Sequence, residues 1–166
     1  MNDFAMAEIG IRQLHARFID AVWRQDATAF ANCFTENGEW KIAGRHMHGR
    51  AEIGPTFAKM LGVCERVMII VSTPILQIDR ADATSRIFCT ELAKMKDGSA
   101  AMTLGVYYDR YAQQADQWQF RWRHWTVHYR GPPDLSAQMI AAPDFGPPPG
   151  MPGADEPTMV VRKVPE

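Results

Sequence analysis

Tyr107 and Asp109 stand two positions apart, so on an extended strand a phenol and a carboxylate share one face. A phenol can donate a hydrogen bond or proton to developing negative charge, and a carboxylate can remove a proton. Asp97-Gly98 is a strong hairpin signal, and a two-residue turn there sets Lys96 opposite Ser99. That register brings Arg86 across from Asp109 and Phe88 across from Tyr107, a charge pair and an aromatic pair. Arg86 would then hold Asp109 ionised or bind an acidic substrate group. The plainer reading is a cross-strand salt bridge beside a packed tyrosine, worth little.

The same register puts Arg86, Phe88, Thr90 and Leu92 on one face with Asp109, Tyr107, Gly105 and Thr103. Ile87, Cys89, Glu91, Ala93 and Met95 share the other with Tyr108, Val106, Leu104 and Met102. Alternation alone does not decide which face lines a cavity. Glu91, set among apolar neighbours, would have a raised pKa at a buried wall. The reading preferred for it is a subunit interface or a lysine partner.

The histidines offer further chemistry. On an unbroken strand Phe120, Trp122, His124, Thr126 and His128 lie on one side, and His124 can serve as a base near neutral pH. Otherwise it is a rim histidine bonded to its neighbours. His124 and His128 are no metal pair, since four strand residues separate them by roughly 13 Å. His46-Met47-His48 can chelate on a strand, but no carboxylate or histidine stands at a distinctive partner spacing. No metal is expected.

These side chains need elements to hold them. Ile11, Leu14, Phe18 and Val22 recur at helical spacing, widened by Ile19 and Trp23. Asp20 is read as a solvated residue of that helix. Asp26 is an N-cap for a second helix with Phe30, Cys33 and Phe34 inward, and Asn37-Gly38 is read as its end. A short strand carries Trp40 and Ile42, and a third helix spans Arg50 to Val63, with Pro55 suited to a fresh first turn. Strands are expected over Val67–Asp79, Thr84–Lys96, Ser99–Ala112 and Trp118–Arg130. Helices first and a meander afterwards is an α+β order.

Composition bounds the rest. A chain of 166 residues is one domain by length, and nine of its eleven prolines lie between Pro132 and Pro165. The reading is therefore a domain over 1–131 and an extended tail over 132–166, able to drape over a groove or a neighbouring subunit. A formal charge of −1 gives no reason to expect nucleic acid or a membrane surface as partner. Three cysteines without CxxC spacing argue against disulfides and zinc knuckles. With no signal-like or membrane-spanning run, the expected location is cytoplasmic.

The run from Leu14 to Trp40, LHARFIDAVWRQDATAFANCFTENGEW, together with the later Tyr107-Tyr108-Asp109-Arg110-Tyr111 and Trp118-Gln119-Phe120, resembles the SnoaL-like branch of the NTF2-like superfamily. The similarity covers about residues 11–130. It implies an NTF2-like cone, with N-terminal helices packed on a curved, mostly antiparallel sheet, and a pocket whose lining includes Gly105 and Tyr107. It also implies a homodimer or homotrimer. Scytalone dehydratase and hexachlorocyclohexane dehydrochlorinase belong to this branch, where an Asp–His pair usually works without a cofactor. Here Trp23 and Met68 stand at those two positions.

The resulting expectation is a cofactor-independent lyase or isomerase for an aromatic or polycyclic hydrophobic molecule. Tyr107, Asp109, Arg86 and His124 would do the chemistry. Trp23, Trp40, Met68, Phe88, Thr90, Thr103 and Ile19 would bind the substrate, with Trp122 and Trp125 adding aromatic wall. The alternatives are a pocket protein that binds a hydrophobic ligand without turning it over, and an assembly partner that docks through an apolar sheet face.

Overall fold

The computed structural model describes residues 3–141 and 143–158. Helix α1 (Asp3–Arg24) buries Ile11, Leu14, Phe18 and Val22. Helix α2 (Ala27–Asn32) starts where the Asp26 carboxylate accepts from the Ala29 N–H at 2.8 Å. Strand β1 (Phe34–Ile42) and strand β2 (Arg45–His48) form a hairpin. Its two turn residues, Ala43 and Gly44, both have positive φ, the geometry a tight two-residue turn requires. Helix α3 (Arg50–Leu61) carries Pro55 inside it without a restart. Strands β3 (Cys64–Val71), β4 (Ile75–Asp79), β5 (Asp82–Met95), β6 (Ala100–Gln114) and β7 (Gln117–Gly131) complete the sheet.

The order is β2-β1-β7-β6-β5-β3, with β4 paired to the first half of β5, and among the described residues only β1 and β7 run parallel. Three helices pack on the concave face of this curved, mostly antiparallel sheet, as the α+β reading expects. Between them lies an aromatic core in which Phe30 stacks on Phe57 with ring centres 3.9 Å apart. Phe18, Phe34 and Phe120 join it, all essentially inaccessible to solvent.

Four local expectations are corrected. Asn37-Gly38 does not end α2, because β1 runs through it. Gly38 is needed there for close approach, since a Cβ would sit 3.0 Å from both the Phe120 carbonyl and the Phe34 side chain. The single strand expected over Val67–Asp79 is two strands, interrupted at Ser72-Thr73-Pro74. The β5–β6 hairpin closes through three residues, Lys96, Asp97 and Gly98. Gly98 alone among them has positive φ, and the Asp97 carboxylate accepts from the Ser99 N–H and hydroxyl.

The register is therefore one residue from the expected one. Arg86 pairs with Tyr108, Phe88 with Val106 and Ser85 with Asp109. One residue of slip moves a whole set of side chains to the other face. Tyr107, Asp109, Thr103 and Gly105 face the helices together with Ile87, Cys89 and Glu91. Arg86, Phe88 and Thr90 face outward. The fourth correction is in β7, which is not an unbroken strand. Register shifts at Arg121 and at His128 leave Phe120, Arg123, Trp125, Val127 and Arg130 inward, and turn Trp122 and His124 outward.

The described part of the tail lies across this outer face. Phe145 and Met151 pack on Val106, Tyr108 and Trp122. Arg110 donates to the Pro152 carbonyl, and the Gly44 N–H donates to the Thr158 hydroxyl. No helix among the described residues is long and apolar enough to cross a membrane.

Candidate functional site

A cavity of about 420 Å³ opens between the helices and the concave face of the sheet. Phe18 and Val22 of α1, Phe30 of α2, and Phe57, Met60 and Leu61 of α3 form its helical wall. Val67 and Ile69 of β3 and Trp40, Tyr107 and Trp125 form the strand side. Trp125 packs against Gly105, where an added Cβ would come 2.7 Å from the indole and closer still to the Thr126 carbonyl oxygen. The missing side chain at Gly105 is what lets the indole lie there and leaves the cavity open.

Polar groups on this apolar wall are few: Glu91, Thr103 and Tyr107, with Arg45 and Arg130. Glu91 pairs across the strands with Thr103, and Thr103 in turn with Arg130. Burial pushes the Glu91 carboxyl above the ordinary carboxylate range, and the charge of Arg130 relieves only part of this. Among the described residues Glu91 makes no ion pair or hydrogen bond through its side chain, nor does the Tyr107 hydroxyl make one. Burial holds the Tyr107 phenol well above its usual pKa, so it stays protonated and able to donate.

Behind Tyr107 lies a second polar group, sealed from solvent: His15, Ser85, Asp109, Tyr111 and Arg123. The Arg123 Nε stands 3.1 Å from Asp109 Oδ1, and its Nη2 donates to Oδ2 at 3.4 Å. Tyr111 donates to Asp109 at 3.1 Å, while its oxygen is 2.6 Å from Ser85 Oγ and 2.9 Å from His15 Nε2. Since Arg123 can only donate, its contact with His15 Nδ1 at 3.5 Å makes that nitrogen the acceptor and puts the proton on Nε2. Ser85 and His15 then both donate to Tyr111. Burial, and secondarily the charge of Arg123, hold His15 well below the usual histidine value, hence neutral. Burial also raises Asp109 to about 6, against the opposing pull of Arg123 and Tyr111. The guanidinium of Arg123 sits 3.7 Å from the centre of the Tyr107 ring and 4.1 Å from those of Phe18 and Phe120. The buried ion pair thereby fixes the ring that faces the cavity.

Of the residues expected to do chemistry, Tyr107 reaches the cavity. Asp109 lies behind it and is engaged by Arg123, not Arg86. Arg86 and His124 are on the outer face, where burial beneath the tail lowers His124 to about 4. Of the expected binding residues, Trp40 and Thr103 line the cavity. Phe88 and Thr90 face outward because of the register, as Trp122 does because of the bulge. Trp23 is 46% exposed, with the Arg66 guanidinium 4.7 Å from its ring centre. Met68 is exposed because Val67 and Ile69 take the inward positions of β3. Ile19 faces a smaller cleft between α1 and the β3–β4 junction, with Arg12 and Pro74. Asp20 is solvated and paired with Arg24.

The residues not singled out as a site are Arg130, Arg45, His15, Ser85 and Arg123. His15 follows Ile11 by four and precedes Phe18 by three, so helical spacing already puts it on the apolar stripe. The inward turn of Arg123 depends on a bulge with no sequence mark. His46 and His48, read without a carboxylate partner, have one: Glu39 pairs directly with His48 across the hairpin.

No curated protein matches this chain. A function-unknown protein from Mycobacterium tuberculosis is similar at 24% identity, with a TM-score of 0.70 over 75% of this chain and 73% of that one. A candidate scytalone dehydratase from Novosphingobium aromaticivorans gives 17% identity and a TM-score of 0.73 over 84% and 95%. A hexachlorocyclohexane dehydrochlorinase from Novosphingobium barchaimii gives 14% identity and 0.71 over 85% and 98%. Identities this low carry the fold alone. The sequence profile of the SnoaL-like domain matches residues 5–124. With its cone-like fold and its cavity between helices and sheet, the chain belongs to the SnoaL-like domain family.

Proposed function

We propose that this protein is a cofactor-independent lyase or isomerase for a hydrophobic, aromatic-sized small molecule, with Glu91 as base and Tyr107 as hydrogen-bond donor. One observation carries the reading: an unpaired carboxylate and an unpaired phenol face the same apolar cavity. A cavity of about 420 Å³ is in the size range of small-molecule sites, and its aromatic wall suits flat apolar ligands. A carboxylate with raised pKa is a stronger base than an ordinary one.

In the elimination, Glu91 takes the proton from a C–H bond and that electron pair becomes a new C=C bond. The leaving group on the adjacent carbon departs with its own electron pair, while Tyr107 donates a hydrogen bond to the negative charge it develops. In the isomerisation, Glu91 returns the same proton to another carbon. Thr103, where Glu91 pairs, and Tyr107 are four residues apart on β6, so their backbones stand roughly 13 Å apart. A ligand that meets both groups therefore spans much of the cavity's length. Asp109, Arg123 and Tyr111 act as positioning residues through the Tyr107 ring. Elimination is also the chemistry named for a dehydrochlorinase and a candidate dehydratase that share this fold.

A second reading, binding without turnover, draws on the closure of the His15–Asp109 pair, which is sealed behind Tyr107 and engaged by Tyr111 and Arg123 instead of facing the cavity. Trp40 and Trp125 give both readings a probe. Compounds with an acidic C–H next to a leaving group are screened by tryptophan quenching, and those that bind are recovered after incubation. A changed product supports the lyase; only unchanged ligand supports the carrier.

A further inference from the structure

We propose that Glu39, His46 and His48 form a divalent transition-metal site that clasps the β1–β2 hairpin. The site lies on the outer face of the sheet and is independent of the chemistry proposed for the cavity. Alternation along the hairpin sends Trp40 and Met47 into the core and places Glu39, Lys41, His46 and His48 on the outer face, where Lys41 is buried and the other three are at least partly exposed. Glu39 pairs directly with His48 and lies diagonal to His46, which pairs with Lys41. Glu39 Oε2 is 2.6 Å from His46 Nε2 and 3.9 Å from His48 Nδ1, so one oxygen serves both rings. All three donor atoms lie within 4.8 Å of one another, and the two imidazole centres are 4.0 Å apart.

Lys41 would ordinarily compete for this carboxylate, being two residues along the same face. Its ammonium is instead held by the carbonyls of Ala154 and Glu156, at 2.7 and 2.8 Å. The tail thus removes the nearest lysine and leaves Glu39 to the two histidines. The backbone at His48 is fixed as well, since its N–H donates to Glu52 at the start of α3 at 2.8 Å. A tetrahedral ion at ordinary Zn–N and Zn–O lengths sets its ligand atoms about 3.4 Å apart. The present spacings of 2.6 and 3.9 Å bracket that value, so side-chain rotation suffices.

Two imidazoles and one carboxylate form a borderline donor set, suited to zinc, nickel or copper and unsuited to magnesium or calcium. Three protein ligands leave a fourth position open to solvent at the sheet edge. The ion would tie β2, the outermost strand, to β1. This hairpin carries Trp40, Ile42, Ala43 and Arg45 to the cavity wall, so the clasp would stiffen one lip of the cavity without entering it.

The test uses the full chain, stripped with chelator and titrated with Co²⁺, Zn²⁺ and Mg²⁺, followed by cobalt d–d absorbance, calorimetry and thermal melting. The expected result is one Co²⁺ or Zn²⁺ per chain, a raised Tm with Zn²⁺, and no response to Mg²⁺. Loss of one ligand in Glu39→Gln, or of two in His46→Gln/His48→Gln, is expected to weaken binding by at least about 10-fold and about 100-fold respectively. Metal-free melts of each variant check that the fold persists. A double-histidine variant binding Zn²⁺ as tightly as wild type would assign the metal to other groups and overturn the proposal. So would a wild-type chain with no saturable one-to-one cobalt signal.

Discussion

Arg123 and Asp109 form an ion pair with no exposure to solvent, the guanidinium Nε 3.1 Å from the carboxylate and its flat face 3.7 Å from the Tyr107 ring centre. A buried pair of this kind adds little over an apolar replacement, but breaking it leaves a charge without a partner. Asp109→Asn or Arg123→Met should each cost about 3–5 kcal/mol of stability by urea unfolding. The joint change Asp109→Leu/Arg123→Met should recover much of that. Single variants within about 1 kcal/mol of wild type would show that the pair is not the buried contact described.

His15 gives a pH dependence with a definite sign. Its folded pKa lies well below the ordinary 6.5, so as pH falls through about 6.5 the unfolded chain takes up a proton that the folded one refuses. Stability should fall accordingly. Asp109, raised to about 6, works in the opposite sense: below that pH the folded state binds the proton first. His15→Gln keeps a donor toward Tyr111 and removes the titration. Its loss of Tm between pH 7.5 and pH 5 should be smaller than that of wild type. An equal or larger loss would place the acid sensitivity elsewhere.

The tryptophans separate the cavity from the surface. Trp23 is half exposed beside Arg66, whereas Trp125 lines the cavity. Trp23→Ala should change ligand affinity by less than about 2-fold, while Trp125→Leu weakens it at least about 10-fold through lost aromatic contact. Gly105→Ala should weaken binding and lower Tm together, because the new methyl meets both the indole and the Thr126 carbonyl of the neighbouring strand. Equilibrium quenching titrations check all three. Equal effects of Trp23→Ala and Trp125→Leu would contradict the location of the site.

Tyr107→Phe removes one hydroxyl and leaves the ring on Arg123 in place. Turnover should fall about 10²-fold with Tm little changed, the usual scale for one donor to developing charge. A fall in Tm without a selective loss of kcat would make Tyr107 a packing residue only.

The sequence carried the fold further than the site. Apolar spacing from Ile11 to Val22, the Asp26 cap and the strand-rich second half all survive in the structure. The Asp97-Gly98 turn is real, but the difference between a two- and a three-residue loop rests on the φ of Asp97, which residue type does not reveal. That one residue exchanged Arg86 and Phe88 for Glu91 and Cys89 on the cavity face. The bulge at Arg121 likewise turned Arg123 inward and His124 outward, again without a glycine or proline to mark it. Tyr107 and Thr103 were legible because the family resemblance picked out the Gly105–Tyr107 face and alternation along a single strand carried it to Thr103. The Glu39–His46–His48 group was half legible: the His-x-His was plain, but its carboxylate became a neighbour only once the Ala43-Gly44 turn set the register.

The most direct test of the proposed chemistry is turnover by Glu91→Gln, with a compound that wild type binds and converts. The substitution keeps size and polarity and removes the base. At least a 10²-fold loss of kcat is expected, with ligand quenching, and hence affinity, retained within a few-fold. Undiminished kcat in a folded Glu91→Gln protein would contradict the proposed chemistry.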